Sequence, residues 1–396
     1  MAGMFGLPEN VEYCTRCAMS NQKPNSSIEY QNTSANRDTM ALDDDGICAA
    51  CHYADTKGGI DWGVREEKLI ALLDQYRRSD GRYDVVVPVS GGKDSIYAAH
   101  LLKYRYGMNP LTVTWAPHIY RDEGWRNLHK MIDAGFDNIL YTPNGKVHRQ
   151  LTKLAFVNLL HPFQPFVFGQ KNVGPRISIQ YDIPLVMYGE SNVEYGDPVA
   201  SDDDLMTEEY FSLEPELDDI YLGGVSARDL INDHGLSLND LKPYFPIHPQ
   251  ELRKAETKVH YLGYYMNWDP QECYYYSVEH CGFETSEERN EGTFSKYSEL
   301  DDKLIPLSFY CMHVKFGIGR AMYDAVQEVR NNKITREESV ALINKFDGEY
   351  PARWLNELLE YMDITKTEFD TVVDRFRPPH LWEQVDGAWK LKQPPV

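Results

Sequence analysis

Six consecutive residues, Ser90-Gly91-Gly92-Lys93-Asp94-Ser95, hold the densest chemistry in the chain. Adjacent glycines let a backbone approach an anion closely and reach positive φ. The stretch follows an apolar run and opens a helical pattern, and the free N–H groups and dipole of a helix start favour phosphate. Ser90 and Ser95 add hydroxyls, Lys93 a positive charge, and Asp94 a carboxylate able to hold a Mg²⁺ that bridges phosphate oxygens. The commonest phosphate loops do not fit. G-x-x-x-x-G-K-[ST] fails because Asp94 follows Gly92-Lys93 and Val87 stands five before Gly92, and G-x-G-x-x-G fails because the glycines are adjacent with no third behind them. A plain strand–turn–helix junction does not require these six residues in this order.

A second constellation is Cys14-x-x-Cys17 and Cys48-x-x-Cys51, two pairs separated by thirty residues. Four thiolates so spaced close a tetrahedral zinc site with no open position, a structural site. A redox dithiol is the competing functional reading, and incidental cysteines the bland one. His52 adjoins the group as a neighbour. Cys273, Cys281 and Cys311 are scattered and read as buried thiols.

These residues need elements to position them. "DVVVPVS" (84–90) is a β-branched run of the kind buried on both faces. A helix is predicted over 94–106, then strand 111–116, a helix through "GWRNLHKMIDAG" (124–135) closed by Gly135, strand 138–143, a helix over 146–160 and strand 183–191. A helix over 62–78 precedes the set, with Leu69, Leu72, Leu73 and Tyr76 on one face. Repeated strand–helix units imply a parallel sheet covered on both faces. Ligands gather at the carboxyl ends of such strands, where Ser90, Trp115, Pro143 and Glu190 fall. One more strand is expected over 261–268, and the rest reads as helical, with capping boxes at Thr335/Glu338 and Thr365/Glu368. The chain divides into a zinc-binding module of four cysteines (1–60), an α/β domain (61–270) with an acidic insertion (197–220), and a mainly helical region (271–396). The insertion reads as a solvated excursion or as a lid over the site.

Forty basic against 61 acidic side chains give a formal charge of −21, a field that opposes generic polyanion binding. The start of the chain shows no basic, then apolar, leader, and no stretch approaches the ~20 apolar residues of a membrane helix. Paired cysteines of this kind suit a reducing compartment. The sequence therefore reads as cytoplasmic, without membrane insertion and without nucleic acid as partner.

The hexapeptide resembles the PP-loop of the ATP pyrophosphatase superfamily, S-G-G-x-D-S after the first strand. That resemblance implies a HUP-type α/β domain that cleaves ATP between its α and β phosphates. It also implies that Ser90, Gly91, Gly92, Asp94 and Ser95 grip the pyrophosphate. A longer series then matches in order: "YCTRCAMS", "SGGKDS", "RNLHKMIDAGFDNILYTPNGKVHRQLTKLAF", "IPLVMYGESNVEYGD", "HYLGYYMNWDPQE" and "KFGIGRAMYDAVQEVRNNKITREESVALINKFDGEYP". From Tyr13 to Pro351 the chain is similar to the N-acetyl sugar amidotransferases of bacterial surface-polysaccharide pathways. The resemblance implies conversion of an acetamido group on a nucleotide-linked sugar to an acetamidino group with ATP and ammonia. Ammonia is then expected from glutaminase and cyclase-like partner subunits, and this chain shows no glutaminase nucleophile of its own.

An amide resists ammonia because its oxygen leaves poorly. Transfer of AMP to that oxygen makes an imidate with a good leaving group, so AMP and pyrophosphate are the expected nucleotide products. Asp94 with Mg²⁺ and Lys93 would act at the phosphates. Glu190, with Asn192 and Tyr195 close by, could orient a substrate nitrogen or ammonia, or be a plain strand-end carboxylate. Ser191 departs from the G-E-N expected there. Lys315 and Arg320 could reach the phosphates or form an ordinary basic helix face, and His118 stands at a favourable strand edge or is structural. A sulfur-inserting tRNA enzyme is the rival; the acidic charge and the absence of a basic, aromatic-interleaved region count against it. A catalytically silent adaptor binding through the cysteine module is the non-enzymatic alternative.

Overall fold

The computed structural model describes residues 3–26, 29–190, 192–197 and 216–396. Ser191 and most of the acidic insertion, with the question of a lid, lie outside them.

Five parallel strands form the central sheet: β1 (Val85–Pro88), β2 (Pro110–Trp115), β3 (Asp137–Tyr141), β4 (Leu185–Tyr188) and β5 (Lys258–Tyr261). Their spatial order is β3-β2-β1-β4-β5. Val86 sits opposite Leu111 on one side and Val186 on the other, so β1 is central. The chain leaves β1 toward β2 and β3 on one side and continues through β4 and β5 on the other. This reversal opens a crevice at the carboxyl ends of β1 and β4, where open α/β sheets bind ligands.

Period-two alternation sorts the strand residues between two cores. Val85, Val87, Val89, Leu185 and Met187 face one cluster with Leu69, Leu73, Ile96, Leu102 and Leu128. Val86, Val113, Trp115, Val186 and Val259 face the other, with Val147, Leu151, Phe166 and Ile177. Helix α1 (Ala49–Lys57) belongs to the cysteine module, and the longer helices over the sheet include α2 (Trp62–Tyr76), α3 (Lys93–His100), α4 (Asp122–Asp133), α5 (Gly145–Leu159) and α6 (Gln164–Tyr181). Asp61 caps α2 through Gly63 and Val64 N–H, Asn144 caps α5, and Gly135 follows α4 at φ +107. Helix α3 runs into a π turn over Leu101–Arg105.

Beyond the sheet lie α7 (Pro270–Cys281), α8 (Leu304–Phe316), α9 (Arg320–Arg330), α10 (Arg336–Phe346), α11 (Leu355–Met362) and α12 (Lys366–Arg375). Both expected capping boxes form, at Thr335/Glu338 and Thr365/Glu368. A third core joins Phe5, Leu7, Met19 and the four paired cysteines to Leu307, Val314, Met322, Leu358 and Phe369. The two ends of the chain therefore share one hydrophobic interior.

Two expectations change. The strand read over 261–268 lies at 258–261, because the chain turns out of the sheet at Tyr261: Gly263 N–H donates to the Gly189 carbonyl at 2.8 Å and Leu262–Tyr265 forms one helical turn. The C-terminal region is not wholly helical, since Trp382–Val385 and Ala388–Leu391 form a hairpin. Its Asp386-Gly387 turn has φ of +53° and +79°, the primed geometry that Asp-Gly favours. Among the described residues no helix is long and apolar enough to cross a membrane.

Candidate active site

The hexapeptide leaves β1 and enters α3 as a braced loop. Gly91 has φ +87, and a Cβ there would lie 2.8 Å from the Leu128 nitrogen, so both conformation and packing against α4 demand glycine. Ser90 Oγ accepts from Gly92 N–H at 3.3 Å, and Ser95 Oγ donates to the Gly92 carbonyl at 3.0 Å. Lys93 is buried and its Nζ sits 2.5 Å from the Asp94 carboxylate. Burial works against its charge, but Asp94, Cys273 and Glu190 together outweigh burial and the lysine pKa rises above its ordinary value. The other Asp94 oxygen, Oδ1, is buried with no hydrogen-bond partner.

A second wall comes from 200 residues away. The segment before α8 and the exposed side of α9 bring Glu299, Asp301, Arg320, Asp324 and Glu328 onto the same cavity as Ser90, Gly92, Lys93, Asp94 and Glu190. Arg121 fixes that segment: its guanidinium, 1 % exposed, donates to the Glu299 carbonyl (2.7 Å), Asn290 Oδ1 (2.6 Å) and Ser286 Oγ (2.5 Å). Gly124 permits the approach, since a Cβ there would meet the Asp301 Cα and the Leu300 carbonyl at 2.4 Å. The Glu299 side chain is 1 % exposed, and neither carboxylate oxygen has a hydrogen-bond partner. Burial pushes its pKa up to about 8, opposed by Arg320, whose Nε is 3.7 Å away. Arg320 Nε also bonds Asp324 at 2.9 Å.

Glu190, beyond β4, accepts a hydrogen bond from Tyr195. Burial and then the Asp94 charge raise its pKa, so it is a carboxyl that holds a proton more readily than usual. Of the residues singled out from the sequence, Ser90, Gly92, Lys93, Asp94, Ser95, Glu190, Tyr195 and Arg320 line the cleft. Gly91 shapes it from behind. Lys315 does not reach it. Its Nζ donates to Glu29 (2.7 Å), Asn32 (2.8 Å) and the Leu159 carbonyl (2.7 Å), because Gly317, at φ +71, ends α8 and redirects the chain before Arg320. His118 stacks on His148 and lines neither cavity of the cleft. Glu299, Asp301, Asp324 and Gln170 carry no signature in sequence. The acidic run Glu299–Asp302 was the one available signal, and it looks like any solvated turn.

Two cavities of about 200 and 280 Å³ share Ser90, Gly92, Asp94, Gln170 and Glu190 and so make one cleft. Its first part is mixed, with Val113, Trp115, Phe166 and Val173 forming an apolar wall opposite Ser90, Asp94 and Glu190. The second is polar and carboxylate-rich.

The paired cysteines converge as a separate centre. Their four sulfurs lie within 4.8 Å of one another, with Cys14–Cys51 at 3.8 Å and Cys17–Cys48 at 3.7 Å. A single ion with metal–sulfur bonds of ~2.3 Å in tetrahedral geometry has sulfur–sulfur edges of about 3.8 Å. The four thiols can hold a metal ion. Cys48 N–H points at Cys14 Sγ (3.3 Å), and His52 is engaged by Asp43 at 2.6 Å instead of by the sulfurs.

Residues 291–394 match the family described as LPS biosynthesis protein WbpG-like, C-terminal domain. That stretch is WbpG-like. Glu299, Asp301, Arg320, Asp324 and Glu328 all lie in it, so the second wall of the cleft is the WbpG-like part of the chain. The match supports the resemblance to the N-acetyl sugar amidotransferases of surface-polysaccharide biosynthesis. No curated protein matches the sequence. A solved structure, the U34-tRNA thiolase NcsA from Methanococcus maripaludis with its [4Fe-4S] cluster, is 13 % identical over 89 % of this chain and 95 % of its own, with a TM-score of 0.28. Likeness at that score carries no argument about the reaction of this chain.

Proposed function

We propose that the chain is an ATP-dependent amidotransferase that converts the acetamido group of a nucleotide-linked N-acetyl sugar to an acetamidino group, releasing AMP and pyrophosphate. The supporting observation is the cleft in which a phosphate loop faces a WbpG-like wall. There Asp94 and Glu299 both present buried oxygens without a hydrogen-bond partner.

ATP is a substrate in this reading. Its adenosine fits against the apolar wall of Trp115 and Phe166. Its phosphates meet the Gly92 end of α3 and the hydroxyls of Ser90 and Ser95. Lys93 and Arg320 offset the charge that builds on the departing pyrophosphate. Mg²⁺, when bound, neutralises phosphate charge and fixes phosphate oxygens; Asp94 Oδ1 and the Glu299 carboxylate are the groups that would hold it. Attack by the amide oxygen on the α-phosphorus forms the adenylated imidate, and ammonia then displaces AMP. Glu190, held by Tyr195, is placed to accept a proton from or orient the nitrogen.

The cysteine centre, as a zinc site, is structural: all four positions are filled by protein. Ammonia comes from glutaminase and cyclase-like partner subunits, and the enzyme works in the cytoplasm on a soluble nucleotide sugar. The test is product analysis with ATP, ammonium and nucleotide-linked N-acetyl sugars. AMP with pyrophosphate is expected, together with a sugar lighter by about one mass unit as oxygen gives way to NH. ADP as the nucleotide product refutes the reading.

A further inference from the structure

A third cavity, of about 450 Å³, borders the cleft and shares Ile305 and Arg320 with it as a common wall. Its character is opposite. Three cations, Arg37, Lys171 and Arg320, line it against one carboxylate, Glu29, in a chain whose formal charge is −21. Glu29 is already divided between Arg37 and Lys315, each at 2.7 Å. Burial would raise its pKa, but those two cations hold it below the ordinary carboxylate range. Among the described residues, Arg320 bonds Asp324 and faces Glu299 through Nε, with its guanidinium stacked on Phe309. Phe163, Phe309, Phe316 and Tyr323 supply flat apolar surface beside these charges. Lys171 Nζ lies 3.3 Å from the Ser26 carbonyl, and burial lowers its pKa to about 7 despite Asp197, so an anion alongside would restore its charge.

A ligand that matches this cavity has a flat ring system, a compact dianionic group and a polar end able to pass the shared wall. Resting on the amidotransferase reading, we propose that this cavity binds the acceptor as a nucleoside diphosphate sugar. The diphosphate lies against Arg37, Lys171 and Arg320. The base and ribose lie on the aromatic side, and the acetamido sugar is presented to the phosphate loop across Arg320 and Ile305. The volume falls within the ~300–1,000 Å³ range of ligand pockets. Paired cations and aromatic faces are what a nucleoside diphosphate requires of a protein. Apart from the shared wall of Arg320 and Ile305, the two sites use different residues, so the sugar diphosphate and ATP do not compete for one place.

The experiment is calorimetric titration of the full chain with UDP-, GDP- and dTDP-linked N-acetylhexosamines, with the free sugar, and with a polyprenyl diphosphate sugar in detergent. At least one nucleotide sugar should bind, and the free sugar should not. Lys171→Met and Phe309→Ala should each weaken that binding about tenfold to a hundredfold, the loss of one charge-assisted bond or one stacking face. In Lys171→Met, affinity for a non-hydrolysable ATP analogue should stay unchanged, and Lys171→Arg should recover most of the sugar affinity. Binding of the lipid-linked sugar alone overturns the nucleotide assignment, and unaltered affinity in both variants overturns the site. Sugar binding that follows these variants, with no AMP formed, would refute the amidotransferase reading and leave the cavity assigned. AMP formation whose KM for the sugar ignores both variants would do the reverse.

Discussion

Lys315→Met separates a structural lysine from a catalytic one. Lys315 is 1 % exposed, and its three ammonium protons are matched by Glu29, Asn32 and the Leu159 carbonyl, all within 2.8 Å. Phe5 and Phe316 close over it at 4.9 and 5.4 Å. Methionine fills the volume but leaves Glu29 with only Arg37 and strands two further acceptors. Breaking a buried ion pair from one side costs about 3–5 kcal/mol, and the surviving Arg37 contact places this case near ~3. At about 1.2 °C per kcal/mol for a chain of 396 residues, the melting temperature should fall by roughly 4 °C. Differential scanning calorimetry of Lys315→Met, Glu29→Gln and the double variant supplies the assay. The double variant should lose less than the sum of the single losses, since it removes both charges together. ATP binding in folded Lys315→Met should be close to normal. A variant that melts like the parent yet makes no AMP would refute this account and return Lys315 to the phosphates.

Asp94→Asn should fold normally while AMP formation falls at least about a hundredfold, because a phosphate-site anion and its metal are lost together; a variant with ordinary turnover removes Asp94 from the chemistry. Cys48→Ser should lower both the bound metal, expected at one zinc per chain by elemental analysis, and the melting temperature; full metal content in the variant would contradict the four-sulfur site. Burial, with Asp301 adding to it, pushes Asp302 up to about 8, against its bond from Leu304 N–H. The folded chain thus keeps a proton that the unfolded chain releases above ~4, and stability drains away as pH rises from there toward 8. Asp302→Asn removes that drain, so its melting temperature relative to the parent should climb between pH 5 and pH 8, and a pH-independent difference would show that Asp302 is ionised when folded.

The loop was legible because everything it needs is local. Strand, glycines, hydroxyls and helix start are contiguous, and Gly91 is fixed by a φ of +87° that its sequence context already suggests. Strand β1 was legible for a similar reason, as a β-branched run buried on both faces. The boundary of β5 was misplaced because aromatic residues suit a strand and a buried turn equally. "YLGYYMNW" gives no sign that Gly263 will bond to Gly189. The hairpin's Val385-Asp386-Gly387-Ala388 did carry a turn signal, masked by the helical texture before it.

The second wall was not legible, and the reason lies in how it is held. Glu299 becomes a buried carboxylate facing Arg320 without a hydrogen bond because Arg121, distant in sequence, grips its carbonyl, and because Gly124 has no side chain to hold the segment off. Lys315 and Arg320 look equivalent in sequence, yet the left-handed turn at Gly317 sends one into the N-terminal core and the other to the cleft. Helix α9 then ties the two centres together. Its first residue, Arg320, closes the cleft, while its last, Arg330, donates to the Glu194 carbonyl at 3.1 Å and approaches Cys17 Sγ at 4.0 Å. Ser339 Oγ on α10 adds a 3.1 Å bond to the Cys17 carbonyl. An eleven-residue helix is stiff over its length of about 16 Å, so the sulfurs anchor one end of the element whose other end meets the phosphate loop. The cysteine module is therefore part of what holds Arg320 at the cleft, although none of its cysteines touches the cleft.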